Sequence, residues 1–177
     1  RSFFGVHRVT GDSISHYLVH GNTTHGRQNT EYPLIPLTYY HHSGPIGQVL
    51  DTFGPAIQKC AFIGLGVGSL AAYGTPYRDI TFFEIDPSVR DLASDPKLFT
   101  YLRDSKARNL NIVIGDGRQE LAKEEGPYDL IVVDAFSSDS IPSHLLTIEA
   151  MQMYMSKLGK HGIIAYHTSN RYLKLAD

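Results

Sequence analysis

Two rhythms of apolar positions divide this chain. From Lys59 onward, near-continuous apolar runs recur with helically spaced stretches between them: "CAFIGLG", "DITFFEID", "LNIVIGDG", "YDLIVVDAF" and "GIIAYHTSN" read as five strands. Strands that are apolar at nearly every position are those covered on both faces, as in a parallel sheet with helices on either side. The intervening stretches read as helices: "SLAAYG", "PSVRDLASDPKLFTYLRD" with a break at Pro96, "RQELAKE" and "PSHLLTIEAMQMYMSKLG". In the last of these, Leu145, Ile148, Met151 or Met153, Met155 and Leu158 are predicted to face inward, the methionines serving as core filler. Right-handed crossovers then make the fold α/β, a doubly wound, mainly parallel sheet.

Residues 1–42 follow a different rhythm. "SFFGVHRV", "SHYLVHG" and "TTHGRQ" are short, aromatic and β-branched, and "TGDS" and "GN" separate them. They predict a small N-terminal antiparallel β unit. "EYPLIP" breaks any regular element. "SGPIGQVLDTFG" then predicts a helix, with Pro45 in its first turn, Gly54 as its stop, and Ile46, Val49, Leu50 and Phe53 on one face. The division expected is a β unit over 1–42 and a nucleoside-binding domain over 43–177.

Composition narrows the function classes. With 16 Lys and Arg against 18 Asp and Glu and no basic run, the chain is not expected to bind nucleic acid. No apolar run reaches the roughly 20 residues of a membrane span. Cys60 is the single cysteine, set in an apolar strand, which excludes an internal disulfide and fits a reducing, cytoplasmic compartment. The chain opens directly in a strand, as a piece cut from something longer would. Its nine histidines are not spaced as a metal site; His144 and His167 are candidates to line a pocket.

In a doubly wound sheet the ligand lies beyond the carboxyl ends of the strands, so candidate chemistry is read there. The first strand ends in Gly64, Gly66 and Gly68, where absent side chains let backbone approach a ligand. Ser69 stands where a dinucleotide fingerprint would carry its third glycine, which moves the reading away from NAD. The second strand ends in Glu84, twenty residues after Gly64, where an acid can accept from ribose hydroxyls. Asp86, just before Pro87, is read as a helix cap or a second ribose contact. The third ends in Asp116 and Gly117, with Asp116 a contact for an adenine amino group, a helix cap, or both. The fourth ends in Asp134, with Asp139 five residues on, where the reactive arm of a bound nucleoside would point.

These motifs, "FIGLGVGSL", "FFEID", "IGDG" and "YDLIVVDAFSSDSIP", preceded by a β unit and "TYYHHSGPIG", resemble the spermidine synthase-like (polyamine aminopropyltransferase) family. The resemblance is greatest to its bacterial branch, in which this domain is often found alongside a membrane-transporter-like segment. It implies a Rossmann-like fold of the S-adenosylmethionine-binding class. It implies no tightly bound cofactor but a co-substrate, decarboxylated S-adenosylmethionine or S-adenosylmethionine. The glycine loop and Glu84 would hold its nucleoside, with Asp116 at the adenine. Asp134 matches the family's catalytic acid, Asp139 its second aspartate. Tyr40 and His41 match a pair that closes the pocket, and Gln28 is a further candidate from the same region. The implied partners are a small polyamine acceptor and a second copy of the chain in a homodimer. The implied location is cytoplasmic, as a free enzyme or as the soluble domain of a membrane-attached protein.

Two positions depart from the family pattern. Val67 stands where members carry an Asp in the glycine loop, and "DAFSSD" spaces its aspartates by five positions rather than three. The family also has strands after the fifth that this sequence lacks. Aminopropyl transfer to a polyamine such as putrescine, releasing methylthioadenosine, is the leading expectation. Methyl transfer or other S-adenosylmethionine chemistry, and a non-catalytic nucleoside-binding domain, stay open beside it.

Overall fold

The computed structural model describes residues 2–21, 23–136 and 141–168. Three short strands, β1 (His7–Gly11), β2 (Ser15–His20) and β3 (Thr23–Asn29), form an antiparallel sheet in that order. The main sheet contains β4 (Lys59–Ile63), β5 (Asp79–Glu84), β6 (Asn109–Ile114), β7 (Tyr128–Val133) and β8 (Leu158–Tyr166). Its order is β6-β5-β4-β7-β8, and all neighbours run parallel. The chain starts in the middle, winds outward to β6, then returns past β4 to build the other half. The order reverses beside β4, so the crevice at the carboxyl ends of β4 and β7 is the switch point where such folds bind ligands.

Residues adjacent along a strand face opposite sides of the sheet, and each side has its own core. Cys60 and Phe62 of β4, Ile80 and Phe82 of β5, and Leu130 and Val132 of β7 pack on one side. Ala61, Ile63, Phe83, Ile131 and Val133 pack on the other. The first side is covered by α1 (Pro45–Thr52), a 3-10 turn over Ser69–Tyr73, α2 (Pro87–Ser94) and α3 (Tyr101–Asp104); the second by α4 (Gly117–Lys123) and α5 (Ile148–Lys157). Burial in β4 pushes the Cys60 thiol up to about 12, so it is an inert core group.

Leu18 of β2 belongs to the first core, so the small sheet shares packing with the large one. Polar ties reinforce the contact. The Gln28 amide donates to Pro33 O and Thr100 Oγ1 and accepts from Thr100 N, and the Tyr101 hydroxyl donates to Ile35 O at 2.9 Å.

Two helical faces differ from expectation. The α5 helix begins after Thr147, whose hydroxyl accepts from Ala150 N, and Ser143–Leu145 form a separate 3-10 turn. That cap fixes the phase so that Ala150 and Tyr154, one turn apart, face the sheet. Leu145 is buried, but Ile148, Met151 and Met155 are exposed rather than inward. In α1, Leu50 is buried as expected, whereas Phe53, at the C-cap and past the last full turn, is exposed.

Candidate active site

The carboxyl ends of β4, β5, β6 and β7 open on one cavity of about 450 Å³. Gly64, Gly66, Glu84, Asp116, Gly117, Asp134 and Tyr40 all line it. Its far wall comes from the small sheet and the segment before it, through Phe3, Phe4, His7, His20 and His25.

Each glycine has a separate reason to be there. Gly64, at φ +104°, lies so close to β7 that a Cβ would sit 2.4 Å from the carbonyl oxygen of Asp134. Gly66, at φ +55°, passes under the carbonyl of His25. Gly68 is off the cavity wall and left-handed at φ +81°, opening the 3-10 turn beside Leu102. Gly117 starts α4 where a Cβ would meet Ile63. The side chain of Val67 is buried and turned to Gly26 of β3, so the loop offers no carboxylate at that position.

Glu84 is buried at the end of β5, its two carboxylate oxygens accepting from Leu65 N at 3.0 Å and Asp86 N at 2.9 Å. It thereby holds the glycine loop and the following turn in place while facing the cavity. Desolvation raises its pKa above the ordinary 4.5, against the lowering effect of those two amides. A raised folded-state value stabilises the fold fully below 4.5 and loses that contribution as pH climbs through the raised value. Thermal melts between pH 4 and 8 should therefore show a shallower loss of stability with rising pH in Glu84→Gln than in the wild type.

Asp86 is the cap of α2, accepting from Ser88 N at 2.8 Å. It also accepts from the Ser2 hydroxyl and contacts His7 Nε2 at 2.9 Å. Burial works to raise its pKa, but the hydrogen bonds from Ser2, Ser88 and His7 hold it below the carboxylate norm. Asp116 serves as cap and as cavity wall together: one oxygen accepts from Gln119 N at 3.0 Å and the other meets His144 Nε2 at 2.7 Å.

At the end of β7, Asp134 is the centre of a polar chain. The Tyr40 hydroxyl donates to its Oδ2 at 2.5 Å, the Tyr39 hydroxyl donates to that of Tyr40 at 2.9 Å, and His167 Nδ1 lies 2.6 Å from Oδ1. The His167 ring packs against that of Tyr39, centroids 4.0 Å apart. The two tyrosines arrive on a 3-10 turn, Thr38–Tyr40, whose first residue is left-handed at φ +62°. Backbone held in that region by surrounding structure is a recurrent feature of sites. Desolvation first, and the Asp134 charge second, push the Tyr40 phenol well above its ordinary pKa, so it stays a donor. Tyr40→Phe should lower turnover about 10-fold by freeing one carboxylate oxygen, with nucleoside affinity unchanged in a calorimetric titration.

Besides Gly68, two expected ligands lie off the cavity. Gln28 is buried and consumed in tying β3 to the start of α3. His41 pairs with Ser43 Oγ at 2.8 Å instead of facing the cavity. Asp139 lies outside the described residues. Tyr39 and the histidines of the small sheet were not legible as site residues. A doubled tyrosine was the available sign for the first, but the approach of two separate sheets carries no local signal.

No protein-family profile matches the chain. Over 124 residues it is 30% identical to a polyamine aminopropyltransferase of Vibrio vulnificus, across 66% of this chain and 39% of that protein. Over that stretch the chain is similar to a polyamine aminopropyltransferase. A probable polyamine aminopropyl transferase of Bifidobacterium longum is likewise 30% identical over 130 residues, 68% of this chain and 28% of that protein. The match thus spans less than half the length of these aminopropyltransferase relatives. The crystal structure of a probable spermidine synthase from Corynebacterium glutamicum superposes with a TM-score of 0.74, covering 93% of this chain and 61% of that one at 16% identity. At that identity the likeness speaks for the aminopropyltransferase-type fold alone.

Proposed function

We propose that this chain carries the donor-binding and catalytic part of an aminopropyltransferase. It would move an aminopropyl group from decarboxylated S-adenosylmethionine to a polyamine such as putrescine, with methylthioadenosine as by-product. The observation that carries the reading is convergence: bare glycine backbone, a ribose-type acid at Glu84, Asp116 and the Asp134–Tyr40 pair share one cavity. The names of the relatives support the same chemistry.

The donor's sulfonium already makes its attached carbons electrophilic, so the protein need only hold an amine in line with one of them, unprotonated. Holding reactants in line supplies much of the rate in such displacements. An alkylammonium has a pKa of roughly 10; a fixed carboxylate at Asp134 attracts the cation, and a general base at that point must take its proton before attack. Glu84 and Asp116 would orient the nucleoside so that its sulfur faces Asp134. A homodimer is part of this proposal, supported by the position of β1 at the edge of its sheet. A cytoplasmic location goes with it, and no helix among the described residues is long and apolar enough to cross a membrane.

Val67 favours a second reading, methyl transfer from intact S-adenosylmethionine, because a valine turned into the core gives the loop no carboxylate for a decarboxylated donor's amine. Incubation with each donor and putrescine, followed by mass detection, separates the two. Spermidine with methylthioadenosine supports the first, a methylated amine with S-adenosylhomocysteine the second, and no product from either donor removes both.

A further inference from the structure

Asp134 does not present a free carboxylate. Both oxygens are engaged, by Tyr40 and by His167, and its side chain is only 5% exposed. The His167 side chain is 29% exposed. It lines a second cavity of about 250 Å³ that shares Tyr39, Tyr40 and Asp134 with the first. Those three residues stand between the two cavities, so an amine in the second would meet a nucleoside's reactive arm in the first beside Asp134.

We propose that His167 is a catalytic residue that takes the acceptor's proton at Nε2, with Asp134 as the residue that positions it; this rests on the alkyl-transfer reading above. Nδ1 is committed to Asp134 at 2.6 Å, so in the neutral ring the proton sits on Nδ1 and Nε2 is left as an acceptor. Among the described residues, the groups facing the ring are Asp134 from the end of β7, Tyr39 from the turn before α1, and the apolar ring of Phe136. Tyr40 reaches it only through Asp134. The other described walls of the second cavity, from α1, β7 and β8, include Ile46, Val49, Val132 and Ala165, and among the described residues they bring no charge.

The step balances as follows. A proton passes from the incoming ammonium to Nε2, making an imidazolium beside the Asp134 carboxylate. The freed nitrogen lone pair forms the new N–C bond as the C–S bond breaks. The bonding pair stays on sulfur, leaving a neutral thioether and a secondary ammonium. The imidazolium then returns its proton to water through its exposed edge.

The test uses the whole chain labelled with ¹⁵N-histidine, the His167 resonances being assigned by difference against His167→Gln. Neutral His167 should carry its proton on Nδ1 with a bare Nε2, and Asp134→Ala should shift it towards the Nε2–H form. An Nε2–H tautomer in the wild type would overturn the inference by itself, whatever the activity. In turnover assays His167→Gln, which keeps a donor towards Asp134, should lower kcat about 100-fold. It should also lose the acid limb of the pH profile and leave the donor KM within about 3-fold, a split that a merely structural role would not produce. Wild-type kcat in His167→Gln would also overturn it. A wild-type chain that transfers no alkyl group defeats the functional reading and the base role with it, and the tautomer result distinguishes that failure from an error in the dyad.

Discussion

Asp134→Asn is expected to lower turnover about 1000-fold, within the range found for removing an acid–base group, while nucleoside affinity changes by less than about 3-fold. The substitution is nearly isosteric, but it removes the charge that holds an ammonium and stabilises an imidazolium at His167. It also turns an amide group towards either the Tyr40 hydroxyl or His167 Nδ1, both of which donate to the carboxylate now. One donor then faces another, and the ring loses its fixed tautomer. Steady-state kinetics paired with calorimetry for methylthioadenosine reads both halves. Turnover within a few-fold of the wild type would remove Asp134 from the mechanism.

Gly64→Ala is expected to be strongly damaging to both fold and site. The residue sits at φ +104°, where an L side chain is strained, and its Cβ would lie 2.4 Å from backbone that cannot swing away. Strain and overpacking each cost about 1–3 kcal/mol. In a chain of 177 residues their sum corresponds to a fall in Tm on the order of 10 °C. Because the atom struck is the Asp134 carbonyl oxygen, the same change should displace the catalytic carboxylate. Gly54→Ala is the control: its added Cβ meets only the end of Arg78, at 3.7 Å. Matching melting curves for the two variants would show that the loop tolerates a side chain.

The main sheet was legible because buried parallel strands are apolar at nearly every position, and β4, β5 and β7 come close to that signature, with Thr81 and Asp129 the polar residues inside them. Ends of strands could then be searched for polar residues, which is how Glu84, Asp116 and Asp134 were found before their convergence was visible. Helical phase was less legible. In α5, apolar residues occupy several faces, and the sequence does not say that Thr147, rather than a residue nearer Pro142, begins the helix. The cap decides which face is buried, and Ile148 falls outside it. Residue-by-residue transfer from the family also put Gln28 and His41 at the pocket, where the structure does not bring them. His41 is engaged by neighbouring Ser43 and Gln28 by Thr100, and a partner 72 positions away leaves no mark on a short motif.

Val67 illustrates the remaining gap. As a letter in the glycine loop it reads as a lost carboxylate; in the fold it is also a buried contact that seats the small sheet against the loop through Gly26. Val67→Asp should therefore disturb packing between the sheets before it restores any contact to a donor.

The central claim is that one crevice orients a sulfur nucleoside towards Asp134, and a crystal structure with methylthioadenosine tests it most directly. The account predicts adenine beside Asp116, ribose hydroxyls on Glu84, backbone of Gly64 and Gly66 against the nucleoside, and the sulfur turned to the Asp134–Tyr40 pair. A nucleoside bound elsewhere, or seated with its sulfur pointing away from Asp134, would contradict it.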